Sequence, residues 1–167
     1  EKDLMSNPTD LVLVVGDVTS TMACAIVAQK CHTKVAHVEA GIRSLDWSMP
    51  EEINRLITDS ITNYFFTTSK NANSILEKSG VSHEKIFFVG NTMIDTLLKQ
   101  RPNFKKPKIW DDISLENNNY VIITLHRPAN VDAENKLKKL IDEIIKKTMN
   151  LPLLFPMHPR TAAIFNR

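Results

Sequence analysis

The sequence predicts an α/β fold built on parallel β-sheets. Short aliphatic segments alternate along the chain with segments of helical length, which is the order of repeated βα units. The first aliphatic segment, 11–15, reads LVLVV without a polar residue, and such a run is typical of a strand buried on both faces. Because parallel strands need crossover connections, these observations predict a doubly wound parallel sheet in each half of the chain.

The individual elements follow from local signals. Strands are predicted where aliphatic or aromatic residues cluster between turn residues, and helices where a capping residue precedes an apolar periodic segment. The predicted strands are 11–15, 34–38, 64–67, 86–89, 120–125 and 151–155. The predicted helices are 20–30, 50–62, 70–80, 92–99 and 132–148, and residues 126–131 are predicted to form a loop.

The segment 101–119 interrupts this pattern and indicates a linker between domains. It contains Pro102, Pro107 and three consecutive asparagines, and it shows no sustained periodicity. The sequence therefore predicts a first domain over 1–100, a linker over 101–119 and a second domain over 120–167. Only two strands follow the linker, too few for a complete sheet, so the second domain is expected to be incomplete.

The composition excludes several classes of function. A net charge of +2 argues against a dedicated nucleic-acid surface, and no apolar stretch is long enough to cross a bilayer. No signal peptide is recognisable. Cys24 and Cys31 lie seven residues apart in an apolar helical segment, which predicts free, buried thiols in a reducing compartment. We therefore expect a cytoplasmic protein with neither a nucleic-acid nor a membrane partner.

Acidic side chains follow the first two predicted strands. Asp17 comes after the first strand and Glu39 directly after the second. Because ligands of open α/β sheets bind outside the carboxyl ends of the strands, both carboxylates are expected to face the binding crevice. Structural alternatives remain open: Asp17 or Ser20 caps the following helix, and Glu39 forms an ion pair with Arg43 or Arg55.

Glu51 and Glu52 stand at the start of the next predicted helix. The segment SMPE at 48–51 resembles a capping box, which would occupy Glu51, and Glu52 is spaced to pair with Arg55 one turn later. Only a short loop separates both acids from Glu39, however. The sequence therefore predicts a cluster of carboxylates that includes Asp17, Glu39 and Glu51.

Basic residues follow the two strands of the second domain. His126 and Arg127 come after the first of these strands, and His158 and Arg160 come after the second. Cations at these positions would face the acids across a cleft between domains and suit a diphosphate group. The remaining histidines are predicted to be structural, although His37 alternates with Glu39 along its strand and is placed to support that acid.

Other kinds of site lack their sequence signals. No Cys/His cluster has metal-ligand spacing, so no metal site is predicted. No serine lies in a nucleophile-elbow motif, and the two cysteines lie in an apolar helix. A GxGxxG motif is absent, so no dinucleotide cofactor is expected.

Five motifs together resemble the non-hydrolysing UDP-N-acetylglucosamine 2-epimerases, and they occur in the same order over nearly the whole chain. They are VGDVTST at 15–21, HVEAGIR at 37–43, PEEINR at 50–55, GNTMID at 90–95 and HRPANVD at 126–132. The resemblance implies two Rossmann-like domains of the glycosyltransferase-B type with a nucleotide sugar between them. Because members of this family carry two complete domains, it also implies that this chain is an internal fragment, with both domains incomplete, that is inactive by itself.

The resemblance further implies a reaction and roles for particular residues. The family interconverts UDP-N-acetylglucosamine and UDP-N-acetylmannosamine without a cofactor, through elimination and re-addition of UDP, and its members are expected to be homodimers. Asp17, Glu39 and Glu51 match its proton-transferring acids, and His126 matches the histidine that assists the departing UDP. The remaining matches are implied contacts to the substrate: Arg127, His158, Glu52 and Arg43.

Two alternatives remain open. The first is an epimerase that acts on a modified UDP-sugar, or a glycosyltransferase with the same two-domain fold. The second is a module that binds a nucleotide sugar without turning it over. Three clustered acids argue against a transferase, which needs one catalytic base, and against simple binding, which needs none of them.

Overall fold

The computed structural model describes residues 1–116, 119–125, 128–131 and 133–165, apart from the side chains of residues 128, 129, 160 and 165. The chain divides into two compact units, Glu1–Asn103 and Phe104–Arg167. Each contains a parallel sheet, so the predicted α/β class is confirmed.

The first unit is a four-stranded parallel sheet with the strand order β1-β2-β3-β4. Its strands are β1 (Leu11–Val15), β2 (Lys34–Val38), β3 (Tyr64–Thr67) and β4 (Ile86–Phe88). Its helices are α1 (Lys2–Ser6), α2 (Thr19–Lys30), α3 (Pro50–Ser60), α4 (Lys70–Lys78) and α5 (Thr92–Gln100), with short 3-10 turns at His83–Lys85 and Arg101–Asn103. The strands lie within one residue of their predicted bounds, because their apolar segments are sharply delimited by turn residues.

Helices α2 and α4 build the core of this unit against the same face of the sheet. Ala25 and Ala28 of α2 pack on Val14 and Val35, and small side chains at these positions let the helix approach the strands closely. Helix α4 contributes Leu76, which packs with Phe65, Ile86 and Ala40 in a second buried cluster. Helix α4 begins as predicted, because the Ser69 side chain accepts a hydrogen bond from the Ala72 backbone.

The prediction that β1 is buried on both faces is wrong. Val14 is buried against the helices, whereas Leu11, Leu13 and Val15, on the other face, are exposed. The strands follow one another in a single direction across the sheet. Because parallel crossovers are right-handed, this order puts the connecting helices on one face, and the described residues leave the other face uncovered.

The second unit has a smaller parallel sheet. It contains α6 (Lys108–Asp112), β5 (Val121–Ile122), α7 (Pro128–Val131), α8 (Glu134–Lys147), β6 (Leu153–Leu154) and α9 (Pro159–Phe165). Strand β5 pairs in parallel with β6. Leu137 and Ile141 of α8 and Val131 of α7 form its buried cluster, onto which apolar residues after β5 and β6 pack.

Element bounds in the second unit differ from the prediction. Strands β5 and β6 are two residues long, shorter than the predicted 120–125 and 151–155, because regular pairing is confined to the residues facing the one partner strand. Helix α7 occupies part of the predicted loop 126–131, and α6 lies within the predicted linker. There, the ring of Trp110 meets Tyr120 edge to face, with 5.4 Å between centroids.

The prediction of two buried thiols is also wrong. Cys24 is exposed and Cys31 is half-buried, and both are free. The buried side of α2 is narrow and consists of Thr21, Ala25 and Ala28. Cys24 lies beside this narrow side and therefore reaches solvent, although the helix is apolar.

Candidate active site at the ends of two parallel strands

Asp17 and Glu39 lie at the carboxyl ends of neighbouring parallel strands, as the sequence predicts. Val15 and Val38, the last residues of β1 and β2, are paired in register. The turn after β1 stays attached to the end of β2, because the Gly16 backbone donates a hydrogen bond to the Val38 carbonyl over 3.0 Å. The chain direction and the register therefore bring the two acids to the same edge of the sheet.

Arg55 of α3 binds both acids. Its Nη2 lies 2.8 Å from Asp17 Oδ2 and 3.6 Å from Glu39 Oε2. Its Nε donates to the same Asp17 oxygen over 3.1 Å, and its Nη1 donates to the Glu39 carbonyl oxygen over 2.6 Å. The guanidinium is 8% exposed, against 34% for Asp17 and 22% for Glu39, so the acids separate a buried cation from solvent.

Asp17 does not cap the helix that follows it, α2, although its position in the sequence is compatible with that role. Helix α2 begins after Val18, and no side chain caps it. Its Thr21 hydroxyl instead donates to the Val15 carbonyl oxygen over 2.7 Å. The alternative that Asp17 or Ser20 caps α2 is therefore wrong. Asn54 of α3 holds the Asp17 turn through a 2.8 Å hydrogen bond to the Asp17 carbonyl oxygen.

Glu39 has a left-handed backbone, with φ of +69°. A residue with a Cβ atom pays roughly 1–2 kcal/mol for this conformation, so other contacts must hold it there. The contact from Arg55 to the Glu39 carbonyl is one of them. The next residue, Ala40, is fully buried, and its backbone donates to the Phe66 carbonyl of β3 over 3.1 Å. The strained residue is thus fixed on both sides.

Glu51 is exposed in the first turn of α3, and the predicted capping box is wrong. The N-cap of α3 is Met49, with Pro50 in the first turn and no side-chain cap. Ser48 instead binds Asp46, with its hydroxyl 2.6 Å from the Asp46 carboxylate. Glu51 makes no described hydrogen bond or ion pair, and it precedes Arg55 by four residues, which places both on one face of the helix.

Glu52 is buried and holds the loop that leads into α3. Its Oε2 accepts hydrogen bonds from the Ser44 backbone over 2.7 Å and from the Ser44 hydroxyl over 3.0 Å, and its Oε1 accepts one from the Leu45 backbone over 3.3 Å. The expected pairing of Glu52 with Arg55 is therefore wrong. The carboxylate of Glu52 accepts hydrogen bonds from loop amides, whereas Arg55 extends to Asp17 and Glu39 at the ends of β1 and β2.

Arg43 and His37 meet at Asp59, in the last turn of α3. Arg43 Nη1 lies 2.6 Å from Asp59 Oδ2, and His37 Nδ1 lies 2.7 Å from Asp59 Oδ1. Burial raises the pKa of Asp59, but hydrogen bonds and charges from His37 and Arg43 outweigh this and hold that pKa below its usual range. The alternative that Glu39 pairs with Arg43 is wrong, since the described ion pair of Arg43 is with Asp59.

The sequence did not predict Asn54 or Asp59 as part of the site, and it named Arg55 only as an ion-pair partner. A signal was present in α3, where polar residues recur between the apolar ones. The buried residues of α3 are Glu52, Asn54, Arg55, Thr58 and Asp59, so the polar side of this helix faces the strand ends. Helical spacing alone cannot reveal this arrangement, because a polar side normally faces water.

The predicted cations of the second unit are only partly described. His126 and Arg127 lie outside the described residues. His158 is exposed and directly precedes α9. The start of α9 is tied to the segment after β5, because the buried Thr161 hydroxyl donates to the Leu125 carbonyl oxygen over 3.0 Å.

Two kinds of site are not found among the residues described. No group of three or more His, Cys, Asp and Glu side chains there is arranged to hold a metal ion. In the same part of the chain, no helix has the length and apolar character needed to cross a bilayer.

Comparison with known proteins identifies relatives along the whole chain. A "UDP-N-acetylglucosamine 2-epimerase homolog" of Methanococcus maripaludis is 42% identical over 166 residues, which is 96% of this chain and 45% of the relative. The UDP-N-acetylglucosamine 2-epimerase of Methanocaldococcus jannaschii is 38% identical over 167 residues, again 45% of its length. The chain thus spans about half the length of the curated relatives it matches.

Solved structures give the same result. The Methanocaldococcus jannaschii UDP-GlcNAc 2-epimerase in complex with UDP-GlcNAc and UDP superposes with a TM-score of 0.81 at 39% identity, covering 99% of this chain and 46% of that one. The Neisseria meningitidis UDP-GlcNAc 2-epimerase bound to UDP-GlcNAc gives 0.84 at 28% identity, covering 99% and 47%. The family model for UDP-N-acetylglucosamine 2-epimerase matches residues 1–167. This chain belongs to the UDP-N-acetylglucosamine 2-epimerase family.

Proposed function

We propose that the protein catalyses the reversible epimerisation of UDP-N-acetylglucosamine to UDP-N-acetylmannosamine at carbon-2, by elimination and re-addition of UDP. The observation that carries this proposal is the convergence of Asp17 and Glu39 on Arg55, with Glu51 unpaired on the same helix face. Relatives in the family have been captured with UDP-GlcNAc and UDP, which supports a nucleotide sugar as the substrate.

The proposed chemistry requires several acid and base groups. Carbon-2 of the sugar is not adjacent to a carbonyl, so its proton leaves only as the bond from carbon-1 to the UDP oxygen breaks. The electron pair of the C–H bond forms a double bond between carbons 1 and 2, and UDP departs with the electrons of the C–O bond. Re-addition of UDP at carbon-1, with a proton delivered to the opposite face of carbon-2, gives the epimer. Proton transfer on both faces needs more than one acid or base.

The roles of individual residues follow from this scheme. Asp17, Glu39 and Glu51 transfer protons and stabilise positive charge that develops on the sugar, and Arg55 orients the first two. His126 assists the departing UDP, and Arg127 and His158 contact its phosphates. Arg43 and Glu52, whose charged groups are engaged within the protein, act on the substrate by holding the loop around it.

The test is epimerisation in deuterated water by the protein at its full natural length, compared with its Glu39→Gln variant. We expect deuterium at carbon-2 of the product and a loss of about 100-fold or more in kcat in the variant, the usual contribution of a general acid or base. Glu84→Gln is the matched control and should retain full activity, because Glu84 is exposed in the short turn that precedes β4, at the opposite edge of the parallel sheet from the carboxyl ends of the strands. UDP-sugar binding without deuterium exchange would instead identify a module that binds without turnover.

A second candidate substrate has specific support. A relative from Pseudomonas aeruginosa, 36% identical over 160 residues, is a UDP-2,3-diacetamido-2,3-dideoxy-D-glucuronate 2-epimerase. The same carbon-2 chemistry therefore occurs within this family on a sugar with a second acetamido group and a carboxylate. Comparing kcat/KM for the two sugars decides between them, and we expect the higher value for UDP-N-acetylglucosamine.

We further propose that the protein acts as a homodimer in the cytoplasm. The dimer rests on the family resemblance, and the compartment is supported by two free cysteines. Light scattering on the protein at its full natural length measures the assembly, and a monomer at micromolar concentration would contradict the first part. Fractionation of the cells that produce the protein tests the second.

A further inference from the structure

Asp59 is the centre of a buried polar cluster beneath the candidate site. Its side chain is 4% exposed, and both carboxylate oxygens accept hydrogen bonds. His37 Nδ1 contacts Oδ1, while Arg43 Nη1 and the Gly41 backbone, the latter over 3.1 Å, donate to Oδ2. Replacing a buried ionic cluster by apolar residues often leaves stability unchanged, so stability alone does not account for charges here.

His37 connects this cluster to the Asp17 turn. The ring is fully buried in β2, and its Nε2 lies 2.9 Å from the Gly16 carbonyl oxygen. A carbonyl only accepts hydrogen bonds, so Nε2 carries a hydrogen. The ring thus joins the Asp59 carboxylate, which Nδ1 contacts, to the Gly16 carbonyl, which Nε2 contacts.

The cluster therefore also holds the two segments that carry Asp17 and Glu39. Gly16 immediately precedes Asp17, and Gly41 follows Glu39 by two residues. Arg55, one turn before Asp59 on α3, binds the same two segments at the Asp17 carboxylate and at the Glu39 carbonyl. Arg55 and Asp59, two residues of α3, thus both hold the segments that carry the acids, although Asp59 contacts neither acid directly.

We propose that Asp59, acting through His37 and Gly41, is a positioning residue that sets the spacing between Asp17 and Glu39 for proton transfer. This inference rests on the proposed epimerase function, in which two acids must reach opposite faces of one carbon. A change of about 1 Å in the position of a reacting group can cost about 100-fold in rate. The buried cluster restrains changes of that size without touching the substrate.

The experiment compares Asp59→Asn with the wild-type protein, both at full natural length. Steady-state kinetics with UDP-N-acetylglucosamine give kcat and KM, and calorimetric titration with UDP gives the number of binding sites per chain. We expect kcat per binding site to fall by about 10- to 100-fold while KM changes by less than about threefold. The asparagine keeps the size of the side chain, but it cannot accept hydrogen bonds from all three donors.

The matched control is Glu77→Gln. Glu77 and His83 form the same kind of carboxylate–imidazole pair, 2.8 Å apart, but on the surface of the first unit. Breaking that exposed pair should leave kcat per site and KM unchanged. His37→Gln is the second variant, used if Asp59→Asn does not fold, and we expect a smaller fall in kcat because Arg43 and Gly41 still hold Asp59.

The outcomes separate this inference from the function on which it rests. An Asp59→Asn protein with fewer UDP sites per chain but unchanged kcat per site would reduce Asp59 to a purely structural role and overturn the inference. Unchanged kcat per site in His37→Gln would likewise overturn the role of His37. A wild-type protein that binds UDP without turnover would contradict the epimerase function itself, and the positioning role with it.

Discussion

The close approach of Gly41 to α4 predicts that even a methyl group cannot be accommodated there. Gly41 has φ of +76°, and a Cβ atom built on it would lie 2.6 Å from the Ala72 carbonyl oxygen and 2.9 Å from Leu76 Cγ. The carbonyl belongs to a helix backbone and the Leu76 side chain is fully buried, so neither can move aside cheaply. We therefore expect Gly41→Ala to be strongly destabilising.

The magnitude has two parts. The left-handed backbone costs a residue with a Cβ atom roughly 1–2 kcal/mol. Overpacking a close-packed region typically adds about 1–3 kcal/mol. The free energy of unfolding should therefore fall by about 2–5 kcal/mol in Gly41→Ala, as measured by urea denaturation followed by circular dichroism.

Gly80→Ala provides the matched control. Gly80 also has a positive φ, +89°, but a Cβ atom there would meet nothing within 4 Å. Only the conformational cost applies, so this variant should lose roughly 1–2 kcal/mol. The reasoning is refuted if Gly41→Ala loses no more stability than Gly80→Ala, because both positions have a left-handed backbone and only at Gly41 would a Cβ atom collide with α4.

Three further predictions follow from single contacts. Thr161→Val removes the buried hydroxyl that donates a hydrogen bond to the Leu125 carbonyl oxygen, and losing this bond should lower the free energy of unfolding by about 0.5–1.5 kcal/mol in urea titrations. Asp59 has a lowered folded-state pKa, so its contribution to stability is present above the unfolded value of about 3.9 and is lost as the pH falls through the folded value. Thermal unfolding between pH 5 and 2 should therefore depend less on pH in Asp59→Asn, and an unchanged slope would contradict this assignment. Arg55→Lys retains the positive charge, but a single ammonium group cannot bind both Asp17 and Glu39 as the guanidinium does, so kcat should fall by about tenfold or more. Wild-type kcat in this variant would contradict the role of Arg55 in orienting the two acids.

Local patterns accounted for most of the first unit. The strands β1, β2 and β3 have their predicted bounds, because each is a short segment rich in aliphatic or aromatic residues between polar turn residues. The positions of Asp17 and Glu39 could be predicted as well, because residues that follow the strands of a parallel sheet lie at its carboxyl edge. In the second unit, single-partner pairing shortened β5 and β6, a constraint that no local pattern contains.

Competing hydrogen-bond partners explain two of the corrections in α3. A capping box at 48–51 and an ion pair between Glu52 and Arg55 are both reasonable choices over four residues. The capping box is replaced by a local contact, because Ser48 binds Asp46. The ion pair is replaced by contacts outside the helix, because Arg55 binds Asp17 and Glu52 binds the amides of the preceding loop. Such competition depends on which groups the fold buries together, and a buried charge takes the partner that satisfies it most fully.

The sequence by itself determined the order of βα units, the family and the strand ends at which the first two acids lie. These features depend on residue type, chain direction and short-range spacing, all of which can be read from a few consecutive residues. Only the tertiary structure decided that the polar side of α3 faces inward, that Arg55 bridges Asp17 and Glu39, and that Asp59 and His37 lie beneath them. Those contacts join residues 16 to 38 positions apart in the chain, where the packing of a helix across strand ends, and no local preference, selects the partners.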